Sequence, residues 1–172
     1  MNYRPNPFAM SLRKNAPRII GVIVPDIVTH FFASILNGIE NMAIDNGYFV
    51  IITTSHESFE HEKRNIENLV NMRVEGIIAC LSQETTDFSH FAALKEINMP
   101  LILFDRVCLT DQFSSVIADG AQSAQMATQH LLDNGSKRVA FIGGANHLDI
   151  VKRRKHGYLE ALRDNRIPIE KE

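Results

Sequence analysis

Three observations predict an α/β fold built on a doubly wound parallel sheet. Short apolar strands alternate with helical stripes of about ten to sixteen residues, the spacing of βαβ units. The stretch Ile19–Val24 is apolar apart from Gly21, as a parallel strand covered on both faces requires. The helical stripes stop at turn chemistry, Asn46-Gly47, Asn98-Met99-Pro100 and Asn134-Gly135. Right-handed crossovers then place helices on both sides of the sheet.

The elements follow in order. After the first strand, Phe32, Ile35, Leu36, Ile39, Met42 and Ala43 recur at spacings of three and four, one stripe of a helix. Tyr48–Thr54 is the second strand. Ser58–Met72 is polar outside and carries Ile66, Leu69 and Val70 on one face, and Gly76–Cys80 is a third short strand. Phe88–Ile97 forms a helix and Leu101–Phe104 the fourth strand. Ser115–Ala118 is the fifth, followed by a helix from about Gly120 to Asp133. Arg138–Ile142 reads as a sixth strand and Val151–Arg163 as a last helix.

The chain has 172 residues, 45% hydrophobic and 22% charged, with a net charge of −2, the composition of one globular domain or slightly more. No apolar run approaches the roughly 20 residues that span a bilayer, and no export leader is visible. Cys80 and Cys108 make no C-x-x-C or zinc spacing, so reduced thiols in a cytoplasmic protein are the simplest reading. The charge is uneven. Arg4, Arg13, Lys14 and Arg18 stand in an amino-terminal arm without an acid, which suits a polyanion contact at one end; a solvated tail has the same pattern. Asn6 is a good N-cap and Pro7 fits the first helical position, so Phe8, Ala9, Leu12 and Arg13 suit a helix of about two turns. A helix that short is marginal alone and is expected only when something binds it. Leu12 amid basic residues suits a minor-groove wedge, or equally a packing contact.

Ligand sites on such sheets lie outside the carboxyl ends of the strands. Those ends carry Pro25-Asp26 with His30-Phe31-Phe32, then Thr54-Ser55-His56, Asp105-Arg106, Asp119 and Gly143-Gly144. A carboxylate, a guanidinium and aromatic faces suit a small polar ligand such as a sugar or a nucleobase. Each residue also has a structural reading. Phe32 begins the core stripe, Asp105 and Arg106 serve equally as a cap or a pair, and Asp119 suits an N-cap. There is no G-x-G-x-x-G after the first strand, no Walker loop, no G-x-S-x-G elbow and no H-E-x-x-H. Glu60-His61-Glu62 is read as a solvated polar face. No catalytic residue, metal or cofactor is therefore expected.

These segments, in order, resemble the lactose-repressor (LacI/GalR) family of bacterial transcription regulators over about Asn2 to Leu162. The markers are Tyr3-Arg4-Pro5-Asn6 with Ala9, Ser11 and Leu12, then Ile20–Asp26, Phe31-Phe32, Gly38-Ile39-Glu40 and Gly47-Tyr48. Arg73–Ile78, Pro100–Arg106, Asp119 and His130-Leu131-Leu132 follow. Arg138–Gly144 and Arg154–Tyr158 with Ala161-Leu162 complete the series.

The resemblance implies a type I periplasmic-binding-protein-like body, with a first effector-binding subdomain at residues 18–135 and the beginning of a second at 136–172. Residues 1–17 would be the hinge, in which Tyr3, Arg4, Asn6, Ala9, Leu12 and Arg13 meet operator DNA and Leu12 wedges into the minor groove. Phe31 and Phe32 would line the effector cleft with Asp105, Arg106 and Asp119, and Arg154, three residues before Gly157, would hold the effector from the second subdomain. Subunits would form a homodimer in the cytoplasm. A sugar-binding protein of a transporter shares the same body, and an enzyme on a flavodoxin-like sheet is a third reading.

Three departures stand out: Met10, where a basic or polar residue is usual, Gly120, where Asn often follows the aspartate, and Ser123, where Gly is frequent. A family member normally carries a helix-turn-helix before the hinge and more chain after Gly135, so the sequence reads as part of a longer regulator. Alone it is expected not to bind operators specifically, because base readout belongs to the helix-turn-helix. A sixth strand without neighbours exposes edge and face, so residues from about Lys137 onward are expected to be loosely held, swapped or held by another chain.

Overall fold

The structure, a computed structural model, describes residues 18–169. The hinge residues Tyr3, Arg4, Asn6, Ala9, Leu12 and Arg13 lie outside them. The elements run β1 (Ile19–Val24), α1 (His30–Asp45), β2 (Phe49–Thr54), α2 (Phe59–Asn71), β3 (Gly76–Ala79), α3 (Ser89–Glu96), β4 (Leu101–Phe104), β5 (Ser114–Val116), α4 (Gly120–Asp133) and α5 (Asp149–Asp164). The sheet is five-stranded in the order β2-β1-β3-β4-β5. β1 pairs in parallel with β2 and β3, and β3 with β4. The chain thus reverses direction of winding across β1, as a doubly wound sheet does.

Register assigns the faces. Ile20 stands opposite Val50 on one side and Gly76 on the other, and Ile78 stands opposite Ile102. Val22, Val24, Cys80 and Phe104 therefore share one face, where Phe32 and Leu36 of α1 close a buried cluster. Residues of the other parity, Ile23, Ile77, Ala79 and Leu103, are fully buried as well. On that face a Cβ at Gly21 would come within 2.6 Å of Leu69 of α2, so glycine allows the helix to lie close to the strand. Gly47 has a φ of 75°, and the amides of Gly47 and Tyr48 return to Ile44 and Ala43, closing α1 as its Asn-Gly stop predicts. Arg18 secures the same corner: its Nη1 donates to the Asn46 carbonyl at 3.2 Å and its guanidinium lies 5.7 Å from the Tyr48 ring centre.

The chain divides into two compact units. Unit 1 runs to Phe104 and includes Cys108–Ser115; unit 2 is Asp105–Val107 with the chain from Val116 onward. Within unit 2, α4 and α5 pack on each other. A Cβ on Gly157 would lie 1.9 Å from the Ala121 carbonyl oxygen, so only glycine permits this crossing. Asn165 Nδ2 donates to Gln129 Oε1 at 2.6 Å and Gln125 Nε2 donates to Asp164 at 3.1 Å, fastening the far ends of the pair.

The sixth strand does not form. Residues 138–142 are irregular, because a strand needs a neighbour for its N–H and C=O groups and the described residues of this unit supply helices instead. The segment is held from the side: Phe141 stacks on Tyr158 at 5.4 Å, and the Tyr158 hydroxyl donates to the Val139 carbonyl at 2.8 Å. Ile142 is 96% exposed. Further along, α5 is regular over 16 residues and buries Gly157, Ala161 and Leu162. β5 begins and ends earlier than Ser115–Ala118.

Gly157→Ala forces a methyl against backbone that has no room to move. It should destabilise unit 2 by about 3 kcal/mol, the upper end for an overpacked core. Urea unfolding followed by helical circular dichroism measures this, and an unchanged midpoint would show that the crossing is looser than described.

Candidate functional site

The loops at the carboxyl ends of the strands hold the predicted residues, and each unit contributes its own set. In unit 1, β1 ends in Pro25-Asp26. The Asp26 carboxylate accepts from the amides of Val28 and Thr29 at 2.9 and 3.0 Å, an Asx turn that sets the entry to α1. Phe31 and Phe32 then occupy the first turn of α1, edge to face at 5.1 Å. Their fates differ. Phe32 is 5% exposed and packs edge-on against Phe104 at 6.4 Å, so it belongs to the core. Phe31 is 50% exposed and offers a ring face to solvent.

In unit 2, Asp105, the residue after β4, has a φ of 57°, a left-handed conformation that Asp tolerates better than most residues. Its amide donates to the Val116 carbonyl at 3.0 Å. Burial pushes the half-buried Asp105 carboxyl above its ordinary range, while Arg106 and then Arg154 pull it the other way. Arg154 thus reaches the neighbourhood of Asp105 from α5. Its stem also lies beside the amino terminus of α4, 3.4 Å from where a Cβ on Gly120 would stand. Asp119 caps that terminus: its Oδ1 accepts from the Gln122 amide at 3.0 Å. Asp119 is therefore already committed to the helix, as its structural reading proposed. Unit 2 brings Asp105, Arg106 and Arg154 together, with Asp119 nearby at the helix start.

This arrangement suits recognition. A carboxylate supplies only acceptors and a guanidinium only donors in a fixed fork, a complement for a ligand rich in hydroxyl or amide groups. A groove of about 670 Å³ along α1 differs in kind. It is lined by Ile20, Ile35, Ile39, Met42, Tyr48 and Ile78 with little polar surface, and it lies at the opposite end of β1 from Asp26. Among the described residues no group of three or more His, Cys, Asp or Glu side chains is placed to hold a metal ion. Among the same residues no helix is long and apolar enough to cross a membrane.

Glu62 requires a correction. Glu60 and His61 are exposed as expected, but Glu62 is fully buried. Its carboxylate accepts from the Ser82 amide, from the Thr85 hydroxyl at 2.7 Å and from His90 Nε2 at 2.9 Å. Its place was readable: Glu62 stands four residues before Ile66, on the stripe that continues to Leu69.

The family described as periplasmic binding proteins and sugar binding domain of LacI family matches residues 18–172. The catabolite control protein A of Priestia megaterium is 33% identical over 98% of this chain and 51% of its own length. The crystal structure of the transcription regulator CcpA of Lactococcus lactis superposes with a TM-score of 0.81 at 28% identity, over 89% of this chain and 56% of that one. The Cra transcriptional dual regulator of Pseudomonas putida, solved in complex with fructose 1-phosphate, superposes with a TM-score of 0.80 at 26% identity, over 86% of this chain and 54% of that one. The chain thus spans about half the length of these relatives.

Asp105→Asn tests the electrostatics. A carboxyl whose folded pKa is raised costs stability once pH exceeds that value, and the cost disappears as pH falls to the unfolded value of 3.8. The variant should therefore be more stable than the parent at pH 7 and equal to it near pH 3. Denaturation midpoints across pH report this, and a variant less stable at pH 7 would mean that the arginines dominate over burial.

Proposed function

The chain belongs to the family of periplasmic binding proteins and LacI-type sugar-binding domains, and from that premise we propose that it is the effector-binding and dimerisation part of a DNA-binding transcription regulator. The observation that carries the reading is the grouping of Asp105, Arg106 and Arg154 in unit 2, at the carboxyl end of β4 and beside the start of α4. The effector is a small polar molecule, a sugar or a nucleobase-like compound. Asp105 accepts from it, and Arg106 and Arg154 donate to it. Within unit 1, Phe32 packs against the exposed Phe31 ring; within unit 2, Asp119 is the cap that fixes α4.

Two supports stand beside the geometry. The named relatives are transcription regulators, and one of them was solved with a phosphorylated sugar. The second support is Tyr3, Arg4, Asn6, Ala9, Leu12 and Arg13 ahead of β1, which match the family's operator-contacting hinge. In this reading the protein is not an enzyme and works in the cytoplasm as a homodimer. Effector binding alters the spacing of paired hinges, so ligand and operator affinity are coupled, reciprocally and by the same factor.

Thermal unfolding with a panel of neutral monosaccharides, sugar phosphates and nucleobases tests the proposal. A ligand present at about 100 times its Kd adds about 2.7 kcal/mol of stability, a shift of about 5–11 °C for a chain of this size. One class should give that shift, and Arg154→Ala, which removes a charged donor, should weaken its binding about tenfold or more. No shift from any class, or a shift that Arg154→Ala leaves intact, would overturn the assignment.

A further inference from the structure

We propose that Glu62 is a positioning residue for the ligand end of unit 1: from beneath the surface it sets the loop after β3 and ties it to the loop after β2. The inference rests on the ligand-binding reading above and extends it to a residue that touches no ligand.

Glu62 lies in the first turn of α2, and its side chain meets only donors. Ser82 gives its amide to Oε2, while Thr85 Oγ1 and His90 Nε2 give theirs to Oε1. Ser82 passes the contact on, donating from its hydroxyl to Ser55 Oγ at 2.7 Å. Ser55, Ser82 and Thr85 are fully buried, like Glu62 itself. A second layer of carboxylates joins the same two loops: Glu57 accepts from the Gln83 amide at 2.7 Å and Glu84 from the Phe59 amide at 3.3 Å. His90 is wedged by aromatic rings, 5.3 Å from Phe59 and 4.3 Å from Phe91, which fixes the direction of its bond. Its Nδ1 is buried without a hydrogen-bond partner. The connection between β4 and β5 is close as well, since burial and then the charge of Glu62 push the Cys108 thiol up to about 12.

A buried carboxylate pays a large desolvation penalty that its hydrogen bonds offset, and an apolar residue in its place would leave the Ser82 amide, the Thr85 hydroxyl and His90 Nε2 buried without that acceptor. Position 62 lies on the stripe of Ile66 and Leu69, where an apolar side chain belongs. What the carboxylate supplies and an apolar residue does not is direction. It fixes the backbone of Ser82 and the hydroxyl of Thr85, in the loop at the carboxyl end of β3, the side on which this fold binds ligands.

Three single variants of the full chain, Glu62→Met, Glu62→Gln and Thr85→Val, separate positioning from mere burial. Amide hydrogen exchange is read at Ser55–Phe59 and Leu81–Phe88, and affinity is read for the class that stabilises the parent in the panel. Both are read at a temperature where circular dichroism shows each protein fully folded. Glu62→Met, which strands three buried partners, should lower the melting temperature, accelerate exchange in those two loops at least tenfold beyond any change in the rest of the sheet, and weaken the ligand about tenfold. Glu62→Gln, which keeps one acceptor, should fall between Met and the parent, and Thr85→Val should loosen the same loops to a smaller extent. Unchanged loop exchange and affinity in Glu62→Met would overturn the proposal. So would an acceleration spread evenly over the sheet. If Glu62→Met does not fold, the Gln and Val variants decide by the same two readouts. If no class binds the parent, the functional assignment fails, and loop-confined exchange alone decides whether Glu62 sets these loops.

Discussion

β1 carries the constraint on which the rest of the molecule depends. Val22, Ile23 and Val24 are fully buried, which means that the strand faces no water on either side. A parallel strand in that position must have a paired neighbour at each edge and a helix over each face. β2 and β3 supply the edges, and α1 and Leu69 of α2 supply the covers. Because the chain winds away from β1 in both directions, the loops after the strands gather at one end of the sheet. Polar chemistry collects there for the same reason. Residues inside the layers have no solvent and few free partners, whereas loop residues at the carboxyl ends have both.

The two units use their polar side chains differently. Unit 1 spends its polar side chains on its own backbone: Asp26 on the turn into α1, and Glu57, Glu62 and Glu84 on the loops after β2 and β3. Unit 2 leaves chemistry over. Asp119 is consumed by the start of α4, but Asp105 remains a half-buried carboxyl whose charge is opposed by burial and favoured by two arginines. A group balanced in this way responds to what is placed beside it. A ligand that donates to it completes its solvation, which is a reason to place recognition at Asp105 and not at the apolar groove along α1.

Most of the fold was legible because most of its signals are local. The spans of β1, β4 and α4 were readable from apolar runs, helical spacing and terminal Asn-Gly pairs, and the structure repeats them. Arg138–Ile142 carries the same apolar run as the real strands and is not one, because strand formation depends on a neighbour that periodicity cannot see. Phe32 carried two readings, core stripe and cleft lining, and it is buried against Phe104. Glu62 was misread because two polar neighbours, Glu60 and His61, outweighed its place on a buried stripe. Asp105 and Arg154 lie far apart in sequence, and no spacing rule joins them. Only the family likeness assigned both to one ligand, and the packing of α5 on α4 supplies the physical reason.

The central claim is that ligands are met at the carboxyl ends of the strands, with Asp105 and Arg154 as the polar anchors. Titrating the isotopically labelled chain with the stabilising class, and following backbone amides by NMR, tests it most directly. The account predicts shifts at Asp105, Arg106, Gly120 and Arg154, with Met42, Asn46 and Tyr48 unmoved. Shifts centred on Met42, Asn46 and Tyr48, with Asp105 and Arg154 silent, would contradict it.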